Sequence, residues 1–283
     1  MSAASPKFWY IAYGARINEA VAYMRTRESA FVLAVGILSA AIAFSQEIPP
    51  GTVLPIMTAN TVDSAKSRPG DKLTGRLMQD VILPSGEKIR AGARVDGQVM
   101  QSSNPSATPG ARLVVHFDRL VSNGKQFPIS VSLRALASMQ DVFFAQLPVG
   151  TFDEYGTSTS DWTTIQVGGA AVYRGDGTVR SAMEVVGRAT DYGAVTARLL
   201  PAPKLGCPAN SIDSEREQSL WVFSPWACGT YGFEDLAIAH HGTSVPVGTI
   251  ELTAPGAVHV RGGSGWLLRT VSAGPDSHNP PAK

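Results

Sequence analysis

ARLVVHFDRLVSNGKQFPISVSLRAL, residues 111–136, is the stretch from which the fold is read. It breaks at Asn123-Gly124, a pair that readily takes the positive φ angles of tight turns whose twist suits paired strands. Before the break Leu113, Val115 and Phe117 alternate with Val114, His116 and Asp118; after it Phe127, Ile129, Val131 and Leu133 alternate with Pro128, Ser130, Ser132 and Arg134. Side chains on a strand point to opposite faces in turn. Each arm therefore presents one apolar and one mostly wettable face, and the stretch reads as a β-hairpin. Pro128 has no N–H to give to a ladder, which puts its arm at a sheet edge or a bulge.

The same pattern extends upstream. Residues 80–83 and 88–90 flank Pro84-Ser85-Gly86, in which proline presets φ and glycine supplies the unusual backbone angle, so a second hairpin is predicted. Residues 94–101 read as a further strand, with Val95 and Val99 inward and Gly97 where a bulge or a close backbone approach fits.

Towards the N-terminus the character changes. Residues 1–29 carry Lys7, Arg16, Arg25 and Arg27 against Glu19 and Glu28, and residues 30–44 form an unbroken apolar run. That run is shorter than the roughly 20 residues of a spanning helix but suits the h-region of an export signal. Ala41-Ile42-Ala43 and Ala43-Phe44-Ser45 offer the small-x-small pattern of a cleavage site, and a start at Met24 would place a short basic segment directly before the run. Residues 1–45 are thus expected to be a signal peptide or, uncleaved, a signal anchor with basic residues on the cytoplasmic side. Cleavage is the preferred reading, and the break at residues 46–51 with the charged flanks argues against a buried core helix. The remainder is expected in the periplasm or outside the cell, with membrane contact only through the N-terminal segment.

Only 17% of the 283 residues are charged and the formal net charge is +1. This balance speaks against nucleic acid or an anionic membrane surface as a partner. Short apolar runs between glycine, proline, serine and threonine, with no long helical period after residue 45, predict an all-β protein, barrel-like or a sandwich. We divide it into a barrel region at 46–140, a β-rich extension at 141–272 and a fraying tail at 273–283. Residues 249–252, 257–260 and 266–271 are expected as its last strands. A Pro-x-Gly-Thr string recurs at Pro49, Pro148 and Pro246. It reads either as a duplicated unit or, preferred here, as turn punctuation before a β-branched or aromatic residue.

Cys207 and Cys228 are the only cysteines. In an exported chain with no metal-type cluster they favour a disulfide, whereas in a reducing compartment they would be two buried thiols. Trp221, Phe223, Trp226, Tyr231 and Phe233 crowd around Cys228. Trp221, Trp226 and Tyr231 could form a stacking platform for sugar rings, or the group could pack over the disulfide as a satellite core, the reading preferred here. Residues 172–179 read as a hairpin on an Asp-Gly turn; the Arg174-Gly175-Asp176 within it is turn chemistry before it is an adhesion signal. His240 and His241 are adjacent on a predicted strand, so they face opposite ways and do not share a metal.

Gly262-Gly263-Ser264-Gly265 precedes a strand and is a turn, not a nucleotide loop. No nucleophile elbow, aspartic-protease signature or phosphate-cradling loop is present. The sequence therefore nominates no catalytic residue, metal ligand or cofactor.

The residues Ile48-Pro49-Pro50-Gly51-Thr52-Val53-Leu54-Pro55, then Pro69-Gly70-Asp71, Asp80-Val81, AGARVDG at 91–97, ARLVVHFDRL at 111–120 and Asn123-Gly124 carry a family resemblance. In that order they resemble the C-terminal β-barrel domain of the TrbI-like family of type IV secretion proteins, over about residues 48–133. They are also similar to secreted acidobacterial proteins of unassigned role. The resemblance implies a barrel and a structural, assembly or binding role in the cell envelope, with envelope proteins or copies of the chain itself as partners. The chain departs from the family in lacking a long proline-rich linker between Phe44 and Ile48 and a counterpart of the pore-forming helical hairpin, and a shared fold does not carry function with it. The alternative is an extracellular carbohydrate-binding module, or a hydrolase of unrecognised type.

Overall fold

Strand after strand in the structure begins where a turn residue releases the chain and ends where the next one bends it. The computed structural model describes residues 47–104, 110–146, 162–173, 177–181, 184–189, 195–200, 216–244 and 246–272. All of these belong to one compact unit. Among them the chain runs through β1 (Val53–Thr58), β2 (Val62–Asp63), β3 (Lys72–Leu77), β4 (Val81–Ile82), β5 (Lys88–Ile89), β6 (Arg94–Ser103), β7 (Ala111–Ser122), β8 (Lys125–Pro128) and β9 (Val131–Ala137). The helix α1 (Met139–Gln146) follows, then β10 (Trp162–Gln166), β11 (Gly169–Tyr173), β12 (Thr178–Ser181), β13 (Glu184–Ala189), β14 (Val195–Ala197) and β15 (Gln218–Leu220). The last strands are β16 (Gly229–Tyr231), β17 (Ala237–His241), β18 (Thr249–Ala254), β19 (His259–Val260) and β20 (Gly265–Thr270).

The protein is all-β. Its large sheet has the order β16-β9-β20-β1-β3-β6-β7-β18-β17, with β8 attached to β7. This sheet curls on itself: Phe117 of β7 meets Trp266 of β20 edge to face at 5.6 Å, although β1, β3 and β6 stand between those strands in the ladder. Leu54, Ile56, Leu73, Val95, Leu113 and Leu252 fill the same interior and are fully buried. The result is a barrel-like core packed with side chains. Alternation built it, as in β3 and β18, where every second residue is buried.

A second, six-stranded sheet runs β10-β11-β12-β13-β14-β15 in chain order, each neighbour antiparallel. It shares a core with the outer face of the barrel: Val53, Ala135, Ala137 and Leu267 cluster with Val179, Val186, Ala197, Leu220 and Phe223. Strand β9 is consequently buried at all seven residues.

The hairpin at Asn123-Gly124 forms as expected, with Ser122 paired to Lys125 and φ of 50° and 76° at the two turn residues. Gly97 sits at a bulge in the β6–β7 ladder, where a Cβ would stand 2.4 Å from the His116 carbonyl oxygen. The Pro84-Ser85-Gly86 turn joins β4 to β5. Both described Pro-x-Gly-Thr strings are turns that open a strand, Thr52 N–H bonding Pro49 O at 3.2 Å and Thr249 N–H bonding Pro246 O at 3.3 Å. The copy at Pro148 lies outside the described residues, as do residues 1–46, Arg174-Gly175-Asp176 and the tail.

Two expectations need correction. The arm after Asn123-Gly124 is not one strand: β8 pairs with β7 and ends at Pro128, whereas β9 crosses to pair with β20. Its wettable face is not wet: Ser132 and Arg134 are both buried, Ser132 Oγ donating to Arg269 O of β20 and Arg134 to the carbonyls of Leu200 and Ala227, which follow β14 and β15 of the second sheet. Beyond residue 140, β16, β17, β18 and β20 continue the sheet that β1 begins. Side-chain alternation reports which face a residue is on, and it does not report the strand's partner or what covers the other face.

Candidate functional site

The sequence-predicted aromatic group lies where the chain leaves the second sheet and returns to the barrel. After β15 the backbone runs beside Val167, whose N–H bonds Val222 O at 2.8 Å and whose carbonyl accepts from Ser224 N–H at 2.9 Å. Phe223 is thereby driven into the second core. Gly168 (φ +92°) lets Ala227 approach, for a Cβ there would lie 2.7 Å from Ala227 Cα. Trp226 lies over Gly169, its Cε3 3.7 Å from where a Cβ would stand.

Trp221, Trp226 and Tyr231 are all half-buried. Trp221 and Tyr231 pack against the second core, and Phe233 against the barrel core. The Tyr231 hydroxyl accepts from Cys228 N–H at 2.9 Å and donates to Cys228 O at 3.0 Å. Burial pushes the phenol's pKa up, against the opposing effects of the Cys228 hydrogen bond and the nearby Arg134 charge. Tyr231 thus acts as a brace over Cys228, and its polar tip is already engaged. Cys228 is buried. Cys207 lies outside the described residues, so the pairing of the two belongs to the proposal below.

Arg134 holds this region to the barrel. From β9 its Nε donates to Ala227 O at 3.0 Å and its terminal nitrogen to Leu200 O at 2.7 Å. A charged group so buried is tolerated because carbonyl dipoles replace its hydration. Sequence reading placed it on a wet face, and an arginine among alternating apolar residues gave no sign of the layer above.

A polar strip occupies the outside of β7, β18 and β17. The Arg112 fork grips Glu251 through Nε at 2.5 Å and a terminal nitrogen at 2.7 Å, and its other terminal nitrogen bonds the Gln101 side chain. The guanidinium holds the Glu251 carboxyl below the usual carboxylate range. A hollow of about 230 Å³ opens beside it, lined by Pro69, Gln101, Ser102, Ser103 and Arg112. Among the described residues the charge that lines it, Arg112, is already paired with Glu251. Nearby, His116 Nδ1 lies 2.9 Å from Gly248 O and His240 Nδ1 2.5 Å from Thr249 O. His241 is turned the other way, Nδ1 3.0 Å from Leu133 O. The adjacent histidines therefore diverge as predicted. Among the described residues no group of three or more His, Cys, Asp or Glu is placed to hold a metal ion.

Helix α1 escaped the sequence reading, although Ser138-x-x-Asp141 is a capping signal. Ser138 Oγ accepts from Asp141 N–H at 3.2 Å and donates to its carboxylate at 2.6 Å. Val142 is the helix's one buried residue, while Phe143 and Phe144 are more than half exposed. No described helix is long and apolar enough to cross a membrane; residues 30–44 are not among those described. The chain matches no protein-family model and no curated protein.

Proposed function

We propose that the chain is an exported, non-catalytic protein of the cell envelope, with a structural, assembly or binding role toward envelope proteins or copies of itself. The observation that carries this reading is the filled barrel. Phe117, Trp266 and the buried aliphatic residues around them pack its interior, which supports contacts with other molecules made from its outside. The resemblance of residues 48–133 to TrbI-like barrels supports the same role, as does the apolar run at 30–44 after basic residues. In this reading Cys207 and Cys228 form a disulfide, in keeping with the oxidising compartment outside the inner membrane.

The test is to extract the full chain from envelopes and measure its native mass and cross-linked neighbours. Discrete oligomers or constant envelope partners are expected. A monomer without neighbours that binds a glycan array, and loses that binding on Trp221→Ala and Trp226→Ala with the fold intact, would replace this reading with carbohydrate recognition.

A further inference from the structure

The barrel closes along one line without a continuous ladder. Strand β16 is three residues long and pairs with β9 from Gly229↔Ala135 to Tyr231↔Ala137. The rest of that β9 edge meets the end of β17. There the His241 ring, with the proton on Nδ1, donates to the Leu133 carbonyl at 3.0 Å. Just beyond it Gly242 (φ +91°) passes so close that a Cβ would stand 2.6 Å from the Val131 carbonyl oxygen. At the other end of the line Thr230 Oγ1 donates to Leu236 O at 3.0 Å. Side chains, then, join the two ends of the curled sheet, and the ring of His241 is the titratable one among them.

We propose that His241 latches the barrel seam and that acidification loosens it. Protonation leaves the Nδ1 donor in place; what it adds is a charge. A charge on a half-buried ring loses hydration that the single Leu133 carbonyl does not replace, so the protonated ring is drawn towards water. The neighbouring groups offer little relief. His240, on the same strand, disfavours rather than offsets a positive charge on the His241 ring. Glu251 on β18 is paired across from His240 and is already held by Arg112 of β7. His116 of β7 is engaged at Gly248, and Arg134 of β9 is directed to Ala227 and Leu200. Glu234 and Asp235, between β16 and β17, are exposed.

Burial holds the His241 ring below its ordinary 6.5. The folded chain therefore binds this proton less readily than the unfolded chain. Its contribution to stability is fully present above the unfolded value and is lost as pH falls through the lowered folded one.

Chemical denaturation of the full chain at pH 7.5 and pH 5.0 tests this, with His241→Asn as the variant whose amide nitrogen replaces Nδ1 without titrating. The wild-type midpoint is expected to fall further between the two conditions than the variant's. Amide exchange at residues 229–231 of β16, which pair with the same β9 edge, corrected for intrinsic rate, is expected to rise severalfold on acidification in the wild type and to stay level in the variant; the Gly242 N–H bonds His240 Nδ1 and reports that residue instead. His240→Asn is expected to keep the wild-type behaviour. Equal pH dependence in wild type and His241→Asn overturns the proposal, as does flattening by His240→Asn alone. Should His241→Asn not fold, ring nitrogen resonances of the wild type decide. An Nδ1–H tautomer titrating below 6.5 supports the latch, and titration at or above that value overturns it.

Discussion

The barrel and the sheet laid against it are both built from antiparallel neighbours, β16 with β9 excepted, but differ in connectivity. In the barrel, hydrogen bonds join residues as distant as Thr52 and Thr270, 218 positions apart. In the outer sheet every strand pairs with its neighbour in sequence. A meander has its partners at hand, whereas a barrel of this kind gains nothing until distant segments meet. The outer sheet nevertheless depends on the barrel, because Val53, Ala135, Ala137 and Leu267 of the barrel's outer face form part of its core. The comparison teaches that local pairing and independent stability are separate properties.

The strongest way to break this comparison is Trp266→Ala. The ring is fully buried and packs on Phe117, so its loss is expected to cost about 3–5 kcal/mol. Both sheets should unfold in one transition in urea; an outer sheet surviving the barrel would show that it does not need that face.

Arg134→Met sharpens the dependence from the other side. Leaving the Ala227 and Leu200 carbonyls without the guanidinium is expected to cost about 1–3 kcal/mol. Amide exchange should rise at residues 195–200 and 220–228 while β3, β6 and β7 keep their protection; uniform loss would assign Arg134 to the barrel alone. The smallest effect is expected for Gly124→Ala. A Cβ there meets nothing within 4 Å, so only the φ of 76° is penalised. A loss of about 1 kcal/mol, confined in exchange measurements to β7 and β8, is the expected outcome.

The parts of the fold legible from sequence are those whose cause is local. The Asn123-Gly124 turn, the Pro84-Ser85-Gly86 turn, the Gly97 bulge and the edge position of Pro128 each follow from the backbone preference of the residue itself. Pairing of β1 with β20 has no local cause and left no local mark. Arg134 and Ser132 misled for a related reason: a polar residue on an alternating strand signals water or a polar neighbour equally well, and here the neighbours were backbone carbonyls, of Leu200 and Ala227 for Arg134 and of Arg269 for Ser132. The aromatic group around Cys228 was legible as a cluster. Its geometry was not, because the brace from Tyr231 to the Cys228 backbone depends on a turn that composition does not describe.

Strand β20 sits between β9 and β1 and is among the last described residues. While the chain is being made, both of those strands must therefore wait with bare edges until the final stretch arrives. A protein cut short before residue 265 would carry two unfilled, strongly apolar strand edges, the kind of surface that seeks out other chains. Truncation before β20 should yield aggregates and not a smaller folded body, which makes residues 265–270 a check on the completeness of everything before them.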